Sequence, residues 1–348
     1  MQSVNSYIRK SIHFSRLPVI AFIFPGQGSQ KVGMGRALAD AYPEARAVFD
    51  EADAALRPSL EADVEVCPLS TLIFNGPESE LILTEYAQPA ILTVSIAAYR
   101  VLAARGITPA FVAGHSLGEY SAHVAAGTIT FAEAVRIVRR RGMYMQEAVP
   151  VGAGSMAAIL GLNADTVTRA CEEAAEGEVV TPANINGPGQ VVIAGATAAV
   201  RRAGERAKAL GAKRVIPLAV SAPFHCAMLK PAEERLEPEL RALHVRNPRV
   251  PVVANVDAEP KRDAASGIDA LVKQVSAPVR WEQVVRRLAS EGVTTYVEVC
   301  PGTVLSGLVK KIHKDAVVLN FAAPEDLVAI LDLSGKVEKW KSGKVSVK

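Results

Sequence analysis

The sequence predicts an α/β fold: a largely parallel sheet covered by helices, interrupted by a smaller unit of order β-α-β-β-α-β. Three observations carry this. Apolar runs at residues 19–24 and 111–113 each lead through a glycine-containing turn into a helix-forming run, the texture of strands buried on both faces. Between about residues 152 and 218, strands and amphipathic helices alternate in the ferredoxin-like order. Parallel α/β material resumes near residue 250, so the middle unit reads as an insertion.

Taken in order, residues 19–24 (VIAFIF) end in Pro-Gly and predict the first buried strand. The loop PGQGSQKVGMG follows, with a helix after it. Its glycines miss the nucleotide fingerprints. Lys31 breaks G-x-G-x-x-G, and Met34 follows Gly33 where a phosphate loop needs lysine. Such a loop can instead bring backbone N–H groups close to a ligand oxygen. Residues 43–56 and 77–83 predict helices, and Gln88-Pro89-Ala90 predicts the opening of another that runs to residue 105. After the strand at 111–113, a helical run starts at Glu119, and a further helix is expected over 131–148. The middle unit has predicted strands at 156–160, 179–180, 191–194 and 214–218, helices at 164–176 and 198–210, and a turn-rich stretch at 184–189. Strands at 250–255 and 295–299 and helices at 228–243 and 281–291 follow; beyond Phe321 no partner is evident.

The composition is that of an ordinary globular chain: 348 residues, 49% hydrophobic, 22% charged. A net charge of +3 is too small to point to nucleic acid or a membrane surface. Residues 1–18 carry Arg9, Lys10, His13 and Arg16 with no acid, and residues 335–348 carry five lysines against Glu338. These ends read as a disordered basic extension and a Lys-rich tail (331–348). Cys67, Cys171, Cys226 and Cys300 show no C-x-x-C or zinc spacing, which suits a reduced, cytoplasmic setting. No run is read as long and apolar enough to span a bilayer. The basic, acid-free N-terminus resembles a transit peptide, so a mitochondrion or plastid is the alternative location.

Chemistry centres on Gly114-His115-Ser116-Leu117-Gly118. G-x-S-x-G between a strand and a helix is the nucleophile elbow, whose tight turn needs small residues beside the serine. The plainer reading is a Gly-flanked serine N-cap. A serine nucleophile needs a base. His13 lies in the extension, His115 is adjacent to Ser116 and points away, and His123 is seven residues down the helix, about 10 Å at 1.5 Å per residue. His244 and His313 lie in charged surroundings and are expected to be solvated. His225, in Ser-Ala-Pro-Phe-His after a strand, is the expected base. Cys226 follows it directly and is a poor rival nucleophile.

At 100° per residue, Ala134, Ile137, Val138, Tyr144, Met145 and Ala148 form one apolar stripe, and Arg141 falls at its centre. A buried guanidinium must be paired. Its partner is either a structural Asp or Glu or a carboxylate on the substrate, gripped bidentately. No strand-end acid lies between Ser116 and His225. The triad acid is therefore either cryptic or replaced by a backbone or amide oxygen.

The motifs FPGQGSQ, GHSLGEYSA, RRRGMYMQ, NINGPGQVVIAG, SAPFHCAM, VKQVSAPVRW and EVCPGTVLSGL occur in the order found in malonyl-CoA:acyl carrier protein transacylases, and over residues 19–320 the chain resembles that family. The resemblance implies an α/β-hydrolase-like catalytic subdomain (19–151 and 219–330) with a ferredoxin-like subdomain (152–218). It implies Ser116 as nucleophile, His225 as base and Arg141 as the malonyl-carboxylate clamp. It also implies the backbone N–H groups of Gln27 and Leu117 as oxyanion hole, the main-chain carbonyl of Gln274 as the group orienting the histidine, and Met145 and Phe224 as acyl-pocket lining. His123 departs from the family's usual apolar residue. The implied partners are malonyl-CoA and acyl carrier protein, for a chain acting as a monomer with no metal or other cofactor, the CoA thioester being a substrate. Three alternatives stand beside malonyl supply for fatty acid elongation: loading of a polyketide synthase, a serine esterase or thioesterase, and a non-catalytic carrier-binding module.

Overall fold

The computed structural model describes residues 18–57, 67–220, 222–299 and 302–333. The basic extension, most of the Lys-rich tail, Ser221 of the SAPFH motif, and Cys300 with Pro301 lie outside the described residues. In chain order the first part comprises β1 (Ile20–Phe24), α1 (Arg36–Ala41), α2 (Pro43–Leu56), α3 (Leu69–Asn75), α4 (Glu78–Leu81), α5 (Thr84–Ala104), β2 (Phe111–Gly114), α6 (Leu117–Ala126) and α7 (Phe131–Glu147). The middle unit comprises β3 (Gly154–Leu160), α8 (Ala164–Ala174), β4 (Val180–Gly187), β5 (Gln190–Ala196), α9 (Thr197–Ala209) and β6 (Arg214–Pro217). The last part comprises α10 (Lys230–Arg241), β7 (Val252–Val253), β8 (Pro260–Lys261), α11 (Ala264–Gln274), α12 (Trp281–Ser290), β9 (Thr295–Val299), α13 (Val304–Ile312), β10 (Val317–Phe321) and α14 (Leu327–Leu333).

The large sheet has order β10-β9-β1-β2-β7-β8, parallel throughout except for the edge pair β7–β8. β1 shows why its sequence is continuously apolar. Phe22 and Phe24 face one core layer while Ala21 and Ile23 face the other, the two-residue alternation of a strand covered on both sides. The second sheet, β4-β5-β3-β6, is antiparallel, with α8 and α9 packed over its own core of residues such as Ile159, Val167, Ile193 and Ala203. That is the β-α-β-β-α-β unit read from the sequence. Val279, just before α12, ties it to the large sheet by exchanging backbone hydrogen bonds with Ala183 and Ile185.

Several local expectations give way. The helix expected to open at Gln88 begins at Thr84, leaving Pro89 inside α5. Fifteen of its 21 residues are buried, and that packing overrides the lost hydrogen bond of one proline. α5 is also long and apolar enough, by length and composition, to cross a membrane, contrary to the sequence reading. Its apolar surface is spent on the core against α2, α6 and α7. α6 starts at Leu117, directly after the serine. The strand expected over 250–255 shrinks to Val252–Val253, because the polar groups of Asn255 are drawn into the site described below. The turn-rich 184–189 is mostly strand: β4 runs to Gly187 with two register shifts, and only Pro188-Gly189 turn the hairpin. α3, α11, α13, β10 and α14 were not anticipated; Leu327, Ile330 and Leu331 of α14 close the large core.

His123 on α6 is fully buried, and among the described residues neither ring nitrogen has a hydrogen-bond partner. Burial pushes it down to about 4. A His whose folded pKa is depressed is bound as the neutral form, so its contribution is full above the unfolded value near 6.5 and falls as pH drops towards 4. His123→Leu should therefore gain stability over the wild type as pH is lowered through that window, by up to about 3 kcal/mol. Urea unfolding of both proteins at pH 7.5 and pH 4.5 tests this; a difference independent of pH would refute it.

Candidate active site

The elbow is built by close approach. A Cβ on Gly114 would sit 1.9 Å from the Gly118 carbonyl carbon, and one on Gly118 would sit 2.0 Å from the Phe24 carbonyl oxygen. Only glycine lets β1, β2 and α6 converge there. Ser116 pays for this position with φ 52°, ψ −108°, a region rarely used by a residue with a side chain. The turn holds it at the N-terminus of α6, where the dipole favours negative charge. Gly26 lies against the His115 carbonyl, which brings the Gln27 backbone over the elbow.

Ser116 Oγ is 2.7 Å from His225 Nε2. His225 Nδ1 is 2.9 Å from the main-chain carbonyl of Gln274. That carbonyl can only accept, so Nδ1 carries the proton and Nε2 is left free to take one from Ser116. His225 itself has φ 60°. It is held in a turn after β6, a strand of the antiparallel sheet. Burial, then the nearby Arg141 charge, drive His225 down to about 3, so it is neutral.

Arg141 is 1% exposed. Nη1 donates to Gln88 Oε1 at 2.7 Å, and Nη2 donates to Gln274 Oε1 at 2.9 Å and to Ser116 Oγ at 3.2 Å. Its Cζ lies 5.4 Å from the Tyr120 ring centroid. Among the described residues no carboxylate pairs with it, and its buried Nε has no partner. Of the two readings left open by the helix, the structural ion pair is not found among the described residues.

The same cluster contains groups that sequence reasoning missed. Asn255 Oδ1 accepts from Ser116 N at 2.7 Å and its Nδ2 donates to the Gly114 carbonyl at 2.7 Å. Gln274 Nε2 donates to the Ser116 carbonyl at 2.9 Å and to Glu119 Oε2 at 2.8 Å. Glu119 is wholly buried, and burial raises it to about 7 against the opposing hydrogen bonds of Gln274 and Asn255. Glu119 had a signal: it is the single acid on a helix otherwise built of apolar and small residues. Asn255 had one too, as the polar residue ending an apolar strand. Gln88 had none, because its partner lies 53 residues away.

The other expected residues fall as follows. Met145 is buried beside the Arg141 cluster, its Sδ 3.9 Å from Gln88 Nε2. Phe224 is buried in the large core next to His225. Leu117 is the first residue of α6, so its N–H has no intrahelical acceptor. Gln27 is anchored by Nε2 to Thr84 Oγ1 at 3.2 Å. His115 turns away from the site to Asn186 at 2.9 Å. His244 is exposed as expected, but His313 is half-buried against Tyr296, whose hydroxyl is 3.2 Å from Nδ1. The buried Cys226 faces the Pro223 carbonyl. Among the described residues no group of three or more His, Cys, Asp or Glu could hold a metal ion.

The acyl transferase domain model matches residues 21–330. The malonyl CoA-acyl carrier protein transacylase of Escherichia coli strain K12 is 50% identical over 314 residues, spanning 90% of this chain and 99% of that one. An acyl carrier protein S-malonyltransferase from Vibrio cholerae superposes with a TM-score of 0.86 at 44% identity, covering 90% of this chain and 99% of that one. A malonyl-transacylase solved in complex with its type II PKS acyl-carrier protein gives 0.85 at 45%, with the same coverage of both chains.

Because His225 stays neutral to well below its usual range, labelling of Ser116 by a fluorophosphonate should not fall on acidification between pH 7 and pH 5. The folded pKa is lowered, so the free base is present throughout that interval. Labelling rates across the interval, with His225→Ala slower by about 100-fold or more as control, check this. A fall in the wild type with a midpoint near 6.5 would show an ordinary, solvated histidine.

Proposed function

We infer that this chain, which belongs to the acyl transferase domain family, moves a malonyl group from its CoA thioester to the phosphopantetheine thiol of acyl carrier protein, for fatty acid elongation. The observation that carries this is the buried Arg141 guanidinium, 3.2 Å from the Ser116 hydroxyl and, among the described residues, hydrogen-bonded to no carboxylate. A serine–histidine pair alone suits any acyl group. One facing an unneutralised cation suits an acyl group with a free carboxylate.

In the first half-reaction His225 Nε2 takes the Ser116 proton and Oγ attacks the thioester carbon. The oxyanion lies on the Gln27 and Leu117 N–H groups. The C–S bond breaks, the CoA sulfur takes the proton from His225, and CoA leaves. In the second half the carrier's thiol gives its proton to His225, its sulfur attacks the malonyl-serine ester, and Ser116 Oγ recovers the proton as it leaves. Arg141 holds the carboxylate through both halves, with Met145 and Phe224 lining the acyl pocket. Pairing with the acyl carboxylate also offsets the cation that depresses His225, so the base strengthens when the right acyl group is bound. Residues 19–151 and 219–330 form the catalytic subdomain. The unit 152–218 is joined to the site edge through Asn186 and His115. Against a serine esterase stands the partner of His225: a carbonyl, where hydrolases of the elbow type place an acid.

Arg141→Ala should lower the rate of Ser116 malonylation from malonyl-CoA by about 100-fold or more while acetylation from acetyl-CoA is retained or improved. Intact-mass analysis of the acyl-enzyme after mixing with each thioester measures both. Equal loss for the two substrates would remove Arg141 as the clamp.

A further inference from the structure

The reading of Arg141 as clamp leaves open what aims it. A guanidinium held by two neutral amides and a hydroxyl, with no salt-bridged carboxylate among the described residues, takes its direction from those groups, so the amides themselves must be fixed. Gln274 is central. Its Oε1 accepts from Arg141, its Nε2 donates to Glu119 Oε2, and its main-chain carbonyl receives the His225 proton. Glu119 Oε2 also accepts the Asn255 main-chain N–H at 3.0 Å, and Asn255 in turn holds the backbone on both sides of the nucleophile. One carboxylate oxygen therefore meets both the residue that carries clamp and base and the residue that carries the elbow.

We propose that Glu119 is a positioning residue for the transfer: its Oε2 locks Gln274 in the polarity and place that aim Arg141 at the acyl carboxylate. The amide could be turned over with little change in shape. Turned, it would set Oε1 against the Ser116 carbonyl, the Glu119 oxygen and Asn255 Oδ1, and its NH2 against the Arg141 guanidinium. Without Glu119, the closest of the acceptor repulsions disappears, and the Gln274 and Asn255 donors each lose a buried acceptor. The second oxygen, Oε1, is buried with no partner among the described residues. An amide NH2 can occupy its place, so Glu119→Gln keeps an acceptor at the Oε2 position. The role is that of an acceptor oxygen and does not need a charge.

This rests on Arg141 gripping the acyl carboxylate, and the test separates the two. The ratio of malonylation to acetylation rates at Ser116 is measured by intact mass for the wild type, Glu119→Met, Glu119→Gln and Arg141→Ala. The expected result is a ratio at least about tenfold lower in Glu119→Met and within about threefold of wild type in Glu119→Gln. A merely structural glutamate would slow both acylations alike and leave the ratio in place. A wild-type ratio in Glu119→Met, or a collapsed ratio in Glu119→Gln, overturns the proposal. If Arg141→Ala keeps the wild-type ratio, the clamp reading fails and this one with it; if only Arg141→Ala collapses it, this one fails alone. Should Glu119→Met not fold, Gln274→Met keeps the carbonyl for His225 and removes both amide atoms. It should show the same collapse, and an unchanged ratio there is equally fatal.

Discussion

A buried cation that no carboxylate among the described residues pairs with directly is the constraint on which this site depends. Taking a guanidinium out of water costs several kcal/mol unless a counter-charge and full hydrogen bonding replace the solvent. Arg141 has two side-chain amides and a hydroxyl, and its Nε is left bare. The surrounding core supplies the stability to hold it: α7 packs Ala134, Ile137, Val138 and Met145 into the large hydrophobic cluster around it.

The second constraint is backbone geometry. Ser116 and His225, the two residues in line for proton transfer, both have positive φ, and neither is glycine. Such conformations persist only when their surroundings over-determine them. For Ser116 the surroundings are visible: Asn255 holds its N–H, Gln274 its carbonyl, and the flanking glycines admit the neighbouring backbone. For His225 the Gln274 carbonyl and the Ser116 hydroxyl fix the two ring nitrogens. Gln274 thus serves both residues, through its side chain for one and its main chain for the other.

What could be read from sequence follows from the range of each interaction. The elbow is local: strand, two glycines and helix lie within residues 111–126, and the motif sufficed to place Ser116. Arg141 was legible because a helix puts its misfit on a predictable face. The Gln274 carbonyl was not legible from chemistry, since every residue has one; only resemblance pointed to it. Gln88 acts across a long separation through a neutral amide, which no charge pattern or spacing rule reports; Glu119 stands out as the single acid of α6, but its distant amide partners do not. The same holds for the fold. β1 announced itself by continuous apolarity, whereas α11 and α13 become recognisable only once the sheet they cover exists. Pro89 misled because a local signal was outweighed by burial on every side of α5.

The absence of an acid behind His225 bears on why such a site transfers and does not hydrolyse. A carboxylate at Nδ1 would stabilise the imidazolium and make Nε2 a stronger base. A carbonyl orients the ring without adding charge, and burial weakens the base further. A weak base discriminates among nucleophiles by their acidity. A thiol near pKa 8.5 yields its proton about seven units more readily than water at 15.7. The step that regenerates Ser116 is therefore open to an incoming thiol and slow for water, although both could reach the ester. The feature that looked like a missing part of a hydrolase is, in these terms, what lets the acyl-serine wait for its carrier.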